Sequence, residues 1–331
     1  MQKLHARNDE VLFVLSVDTE EEWDWSGKFP ENNFSVANTG KIPRFQEFCN
    51  KLGVKPTYFV DHAIASDQAS VEYLKDPLSK GQCEIASHLH PWCTPPFEEK
   101  VNPVNSHIVN LPISLVREKI KNITNKIQEQ FAVSPMSFRS GRWGINGAIL
   151  EILADHNYGI DSSVFPYYKD AYFSYEDALE TPFWPDFSMC TRSGAQRQIF
   201  EIPVTSGFNR KNFSLWHAMH STLSNGPWNK LRLISMLWHS RLLRKLQLSP
   251  ELASSSQMVA LVKACLQKGH KVIHMFFHSS SLLPGGSPYV SNEQDLEMFY
   301  QSIKEVVDYL TDNVNLQFCT LTEVRNHYLR E

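Results

Sequence analysis

Polar side chains with metal-binding or proton-transfer chemistry follow several short apolar runs of this 331-residue chain, each at the point where a run ends. The five junctions supply Asp18 and Glu20, then His88 and His90, then Arg139, Asp161 and His278. One such junction is ordinary, because turns and caps favour Asp and Ser. The repeated pattern indicates that these side chains form a single active site.

The residue types at these junctions indicate which chemistry the site can perform. Two imidazoles and a carboxylate form a ligand set typical of a catalytic zinc ion, with open positions for water and substrate. A second carboxylate nearby can act as a general base, and a further imidazole can protonate a leaving group. This inventory suits the hydrolysis of an amide or an ester.

The elements that must position these residues alternate along the chain between strands and helices. We predict strands at 11–17, 56–60, 83–87, 135–138, 160–161 and 271–277, and helices at 43–52, 114–131, 147–157, 258–268 and 293–310. This alternation predicts an α/β fold whose parallel sheet is closed or nearly closed into a barrel. In such barrels the active site lies at the carboxyl ends of the strands.

The segment of about 170–250 is the part with the weakest strand pattern, and it is rich in Trp, Phe and Pro. We predict long loops or an insertion over the barrel mouth. Within it, 230–248 has the pattern of a basic amphipathic helix. Such a helix either contacts the inner membrane peripherally or packs on the barrel as a lid with its basic side in water.

Composition excludes several classes of protein. Hydrophobic residues make up 42% of the chain and charged residues 21%, with a net charge of −4, so a globular core is expected and a nucleic-acid partner is not. The six cysteines include no C-x-x-C pair, which indicates reduced thiols.

The run 11–17 is too short for a signal-peptide core, and no run reaches the length of a membrane span. We therefore expect a cytoplasmic protein.

Five segments resemble, in order, the five motifs of the polysaccharide deacetylases (the NodB-homology family, carbohydrate esterase family 4-like). They are SVDTE at 16–20, EIASH at 84–88, SFR at 137–139, DSS at 161–163 and MFFHS at 275–279. The resemblance covers about 11–324, and the stretch 278–290 resembles a subgroup found with bacterial surface-polysaccharide biosynthesis. The family resemblance implies one distorted barrel domain over 1–331, with fewer strands than a full barrel. It also implies that this domain removes acetyl from an N-acetylated sugar or polysaccharide precursor.

The resemblance also implies roles for individual residues. Asp18 matches the family's general base, and Arg139 matches the arginine that orients this base. His278 matches the general acid that protonates the departing amine. Asp161 would be a supporting carboxylate.

The metal ligands depart from the family pattern at two positions. Thr19 stands where the family usually has a second Asp, so Glu20 is assigned as the ligand, as in members with Asp-x-Glu. Trp92 stands where the second histidine is usual, four residues after His88. His90 is the available substitute, since positions i and i+2 of an extended chain face the same way. The resemblance thus implies one divalent ion, expected to be Zn²⁺.

Other assignments stay open in the sequence. Trp23, Trp92 and Trp143 are predicted to stack on sugar faces, although aromatic residues at barrel rims also serve as packing. Arg142 competes with Arg139, and Cys93 competes with His90 as a ligand. His62 also follows a predicted strand and could line the mouth.

Two alternative functions also remain. One is hydrolysis of another amide or of a cyclic imide. The other is a non-catalytic glycan-binding barrel that has lost its metal, for which Trp92 is the main support. The sequence does not indicate the oligomeric state.

Overall fold

The computed structural model describes residues 10–25, 29–224, 233–240 and 242–330. Its strands are β1 (Glu10–Thr19), β2 (Thr57–Val60), β3 (Glu84–Leu89), β4 (Ser137–Ser140), β5 (Ile160–Asp161), β6 (Pro185–Asp186), β7 (Met189–Ser193), β8 (Phe200–Glu201), β9 (Ser206–Phe208), β10 (Lys245–Gln247), β11 (Val272–His278) and β12 (Asn315–Phe318). Its α-helices are α1 (Ile42–Leu52), α2 (His62–Ser66), α3 (Gln68–Ser79), α4 (Ile113–Phe131), α5 (Gly147–Asp155), α6 (Phe213–Ser224), α7 (Leu233–His239), α8 (Ser255–Lys268), α9 (Glu293–Asn313) and α10 (Leu321–Tyr328).

The main sheet is parallel and curls into a barrel. Its strand order is β11-β1-β2-β3-β4-β5-β8, and β12 pairs with the first part of β1. Beyond β8 the chain reaches β11, where the Thr205 amide donates to the His274 carbonyl at 3.0 Å. The Phe276 amide donates to the Leu248 carbonyl at 3.1 Å on the same strand. Single hydrogen bonds therefore bridge the last gap, and the predicted α/β barrel is confirmed.

Alternation along β1 separates two cores. Leu12 and Val14 lie in an apolar cluster with Phe59 from β2. Their neighbours in sequence pack in the larger core that includes buried residues of the surrounding helices. Because side chains alternate across a strand, Ser16 and Asp18 continue the inner face above Val14. The inner face thus changes from apolar to polar towards the carboxyl end of the strand.

Strand register brings the predicted site residues side by side. Asp18 on β1 pairs with His278 on β11. His88 on β3 pairs with Arg139 on β4. Parallel strands end at one edge of a sheet, so this register gathers their last side chains at a single mouth.

The caps of two helices define where each helix ends and the chain turns towards the next strand. Gly53 ends α1 in a left-handed conformation (φ 77°), which glycine adopts without steric penalty. The helix α8 begins with a capping box between Ser254 and Gln257 and ends at Gly269. Gly269 then leads into β11, which carries His278.

Several elements were not predicted. The pair α2 and α3 follows β2, and α3 contains Pro77, which obscures its helical pattern. The elements β12 and α10 are short, and they close the chain against β1. Arg139 lies within β4 rather than after it.

The segment of about 170–250 is not one continuous insertion. Inside it, β8 pairs with β5 and so belongs to the main sheet. The prediction of a single helix over 230–248 is wrong: α7 ends at His239, and β10 follows and pairs with β9. Leu246 and Leu248 are buried in this strand region, which explains their apolar spacing without a helix. Residues 230–232 and 241 lie outside the described residues.

Among the described helices, none has the length and apolar character needed to cross a membrane.

Candidate active site

Asp18 forms an ion pair with Arg139 at the mouth of the barrel. Arg139 Nη1 donates to Asp18 Oδ1, and both side chains are almost fully buried. Burial alone would raise the pKa of Asp18, but Arg139, with His88 and His278, lowers it below its ordinary value. The structure therefore holds an ionised carboxylate at the end of β1.

Hydrogen bonds on its remaining nitrogens fix the Arg139 guanidinium in place. Nε donates to the Ser162 carbonyl at 2.9 Å, and Nη2 donates to Ser16 Oγ at 2.9 Å. The guanidinium also lies 4.1 Å from the centroid of the Phe59 ring. Arg142 does not take this place, because its guanidinium lies over the rings of Trp23 and Phe29.

Glu20, His88 and His90 converge beside this pair. Glu20 Oε2 lies 3.2 Å from His88 Nε2 and 3.4 Å from His90 Nε2. Possible ligand atoms of the three residues lie within 4.8 Å of one another, and all three residues are buried. Trp23 Nε1 donates to the other Glu20 oxygen at 3.1 Å.

This donor set fits a divalent metal ion. Burial lowers the pKa of both His88 and His90 to about 4, so both imidazoles are neutral near pH 7. Burial likewise raises the pKa of Glu20, so the bare carboxylate is costly in this environment. Two neutral imidazoles and one carboxylate are the ligands of many catalytic zinc sites. His90, rather than Trp92, thus lies with Glu20 and His88 in a group that could hold a metal ion.

A second layer of acids holds His90. Its Nδ1 lies 3.0 Å from Glu21 Oε2, and the Glu21 amide donates to Asp61 Oδ2 at 2.9 Å. Burial raises the pKa of Glu21 to about 7 and that of Asp61 well above its ordinary value. Cys93 Sγ lies 3.7 Å from an oxygen of each acid. These residues form a second possible ligand group that shares His90, although backbone N–H donors already satisfy both Asp61 oxygens.

His278 faces Asp18 across the site, and the other nitrogen of its ring contacts Glu251. Its Nε2 lies 3.8 Å from Asp18 Oδ2, and its Nδ1 lies 2.8 Å from Glu251 Oε2. Burial would lower the pKa of His278, but the charges of Glu251, Glu20 and Asp18 raise it to about 10. The side chain is 17% exposed, so the protonated imidazole reaches the mouth.

Aromatic rings surround the mouth. Trp23 stacks on Trp25, and the edge of Trp25 meets His278 at a centroid distance of 4.9 Å. Trp92 is only 2% exposed and stacks on His90 at 4.1 Å, and its indole N–H donates to Glu21. Trp143 is half-buried against Phe276. Of the three predicted sugar-stacking residues, Trp23 and Trp143 are partly exposed, whereas Trp92 packs on a candidate ligand.

Two predicted positions form no hydrogen bond with the donor set within the described residues, although Asp161 lies close enough to Arg139 for their charges to interact. Asp161 accepts a hydrogen bond from Ser163 at 2.7 Å and lies against Glu201, whose own pKa burial raises well above its ordinary value. Within the described residues, Asp161 forms no ion pair or hydrogen bond with Asp18 or Arg139. His62 begins α2, where its side chain contacts Ser66.

Three residues of the site were missed by the sequence reasoning. Glu251 lies four residues beyond β10, a strand that the sequence pattern did not predict. Asp61 directly follows the predicted strand at 56–60, so the strand-end pattern could have found it beside His62. Glu21 directly follows Glu20, and sequence spacing alone does not show which of the two would bind a metal ion and which would contact His90.

Comparisons with known proteins bear on the fold. No protein-family model and no curated sequence matches the chain. A Mycobacterium smegmatis protein, provisionally described as a polysaccharide deacetylase, has a similar structure. The TM-score is 0.56 at 14% identity, over 98% of this chain and 93% of that one. A Pseudomonas aeruginosa PAO1 protein with the same provisional description matches with a TM-score of 0.55 at 13% identity, over 100% and 95% of the two chains.

The allantoinase PuuE also has a similar structure, with a TM-score of 0.51 at 11% identity, over 100% of this chain and 94% of that one. At such low identities, these matches report on the fold alone. This chain has the fold of the polysaccharide deacetylases of the NodB-homology type.

Proposed function

We propose that the chain is a metal-dependent hydrolase that removes acetyl from an N-acetylated sugar or polysaccharide precursor. The observation that carries this proposal is that three functional groups meet at one mouth. They are the Asp18–Arg139 pair, the donor set of Glu20, His88 and His90, and the His278–Glu251 pair. Base, metal donors and acid are the parts that amide hydrolysis needs.

Each residue would have a defined task. Asp18, kept ionised by Arg139, would take a proton from the water that attacks the acyl carbon. His278, protonated at neutral pH, would give its Nε2 proton to the departing amine nitrogen, and acetate and the free amine would leave. Glu251 would hold the opposite nitrogen of the ring. A divalent ion on the donor set, expected to be Zn²⁺, would acidify water and polarise the acyl oxygen.

The choice of an acetylated sugar rests on the fold and on the aromatic mouth. The structural neighbours provisionally described as polysaccharide deacetylases have the same architecture. The stacked rings of Trp23 and Trp25 lie beside His278 and would offer a sugar an apolar face. A cytoplasmic location and peripheral contact with the inner membrane through 230–248 remain predictions.

Hydrolysis of another amide or a cyclic imide is the second candidate. The fold is similar to that of an allantoinase, and the same base, acid and donor set would serve such a substrate. A non-catalytic glycan-binding barrel is less well supported, because His90 restores the donor set that Trp92 interrupts in sequence.

The test is release of acetate by the purified, zinc-supplied chain from a panel of N-acetylated sugars, with allantoin as a parallel substrate. Asp18→Asn should lower kcat by a factor of about 10²–10⁴, because it removes the base. It should leave zinc content unchanged, because Glu20, His88 and His90 are kept. Near-normal turnover by this variant would refute the mechanism. Allantoin opening without acetate release would favour the second candidate, and glycan binding without any turnover would favour the third.

A further inference from the structure

One segment of the chain contains basic residues and no acidic ones. Between Glu201 and Glu251 there is no Asp or Glu, although the whole chain has a net charge of −4. The cations of this segment are Arg210, Lys211, Lys230, Arg232, Arg241, Arg244 and Lys245. Lys230, Arg232 and Arg241 lie outside the described residues, which include Arg210, Lys211, Arg244 and Lys245.

The helix α6 at the centre of this segment packs on the barrel along one side only. Phe213 is buried, and Trp216 and Met219 are half-buried against the core. The helix also contacts α7 and β9. Four of its positions are exposed, and these are Ser214, Leu215, Ala218 and Thr222.

Apolar side chains of this segment point into solvent. Leu215 on α6 is 58% exposed, Met236 on α7 is 64% exposed, and Leu242 is 52% exposed. We call the surface formed by residues 209–224, 235–240 and 242–245 the α6–α7 surface. Large apolar side chains that stay exposed at one place usually mark a binding surface.

Cations lie beside these apolar side chains without acidic partners. Arg210 Nε donates to the Leu242 carbonyl at 2.8 Å, which places its guanidinium next to that exposed leucine. Arg244 Nε donates to the Trp238 carbonyl at 2.9 Å. Within the described residues, neither these arginines nor Lys211 forms an ion pair with a carboxylate. Lys245 contributes less to the surface, because its half-buried Nζ donates to the Tyr167 carbonyl. The charges of Arg210, Lys211 and Arg244 are thus available to an external anion.

We propose that the α6–α7 surface binds peripherally to a membrane that contains anionic phospholipids. A bilayer satisfies both features at once, because its headgroups attract Lys and Arg and its acyl boundary accepts Leu and Met. A nucleic acid would satisfy the charge alone and leave the apolar side chains in water. This inference does not depend on the proposed hydrolysis. It assigns the membrane contact that the sequence predicted for 230–248 to a surface that also includes α6.

The test is co-sedimentation of the full chain with vesicles of phosphatidylcholine, alone or mixed with phosphatidylglycerol. Binding is expected only to the mixed vesicles, and salt should weaken it. Two double variants separate the contributions: Arg210→Gln with Lys211→Gln, and Leu215→Ser with Met236→Ser. Each should reduce binding roughly tenfold, since each removes part of what a bilayer recognises.

Matched controls lie elsewhere on the protein. Lys75→Gln with Lys271→Gln removes two exposed lysines, and Met189→Ser with Met298→Ser removes two methionines that are 56% and 57% exposed. Both controls should bind as the unmodified chain does. Equal circular dichroism and Tm for all variants would show that folding is unchanged.

Three outcomes would overturn the proposal. The first is no binding to either vesicle, or equal effects of test and control variants. The second is binding that the charge variant lowers, that the apolar variant leaves intact and that a DNA duplex displaces, which would assign the surface to polyanions. The third is a vesicle-free dimer that the apolar variant dissociates, which would assign the surface to a second copy of the chain.

Discussion

At the scale of single residues, the charge of Glu251 should determine the pH up to which His278 stays protonated and can donate a proton. The pKa of His278 is about 10, so its imidazolium predominates below that pH and is lost as the pH rises through it. We expect kcat to fall only in strongly alkaline solution. In Glu251→Gln the pKa should return towards the ordinary value of about 6.5, so the alkaline limb should move to lower pH.

The pH dependence of kcat for the two proteins measures this shift. Ser281→Ala is the control, because Ser281 donates to Glu251 but carries no charge of its own. Its alkaline limb should stay close to that of the unmodified chain. An unchanged limb in Glu251→Gln would mean that His278 is not the acid, or that other carboxylates maintain its charge.

Glu21 sets the orientation of His90 at the same scale. If Nδ1–H donates to Glu21, the Nε2 lone pair is left facing Glu20. Partners of this kind typically contribute about 10–100-fold to metal affinity. Glu21→Ala should therefore weaken zinc binding by about that factor, and Glu21→Gln should weaken it less, because the amide oxygen still accepts the hydrogen bond. Competition with a chelator measures both, and equal affinity in all three proteins would contradict this role.

At the scale of elements, Lys119 joins α4 to the loop that follows His90. Its buried Nζ donates to the carbonyls of Pro91, Thr94 and Pro96 and pairs with Glu99 at 2.9 Å. Lys119→Met would remove the cation that pairs with the buried Glu99 carboxylate and the donor that three carbonyls share. The free energy of unfolding should fall by about 3–5 kcal/mol, measured by urea denaturation.

Lys121 provides a matched control on the same helix. It is exposed, and its one ion pair within the described residues is with Glu118, so Lys121→Met should change stability by about 0.5 kcal/mol or less. Similar losses in the two variants would show that the contacts of Lys119 do not stabilise the loop.

Strand ends could be predicted from sequence because parallel strands place their last residues at one edge. That rule located Asp18, His88 and His278, whose apolar runs are unambiguous. It could not locate Glu251, because the short antiparallel strand β10 before it has no distinctive pattern. The spacing of apolar residues predicted a helix over 230–248. Part of this segment is the strand β10, and the buried apolar residues in and beside it happen to have helical spacing.

At the scale of the whole molecule, closure of the barrel explains why distant segments share one site. The chain after β8 bonds to β11, and β11 pairs with β1, so Glu251, His278 and Asp18 meet although they lie far apart in sequence. Next to them, Arg139, Ser16 and His274 form a polar layer that separates the site from the apolar cluster of Leu12 and Val14. Such long-range contacts follow from topology, which local sequence patterns specify only in part.

Metal binding should stabilise this whole arrangement, because the donors come from β1 and from the end of β3 and exist as a set only in the folded chain. At a free zinc concentration of about 100 times Kd, the gain is about 2.7 kcal/mol. We therefore expect zinc to raise the Tm by a few degrees, measured by calorimetry with and without a chelator. Asp18→Asn should keep this increase, whereas His88→Ala should lose it together with bound zinc. A Tm that zinc leaves unchanged in the unmodified chain would show that Glu20, His88 and His90 do not form a metal site.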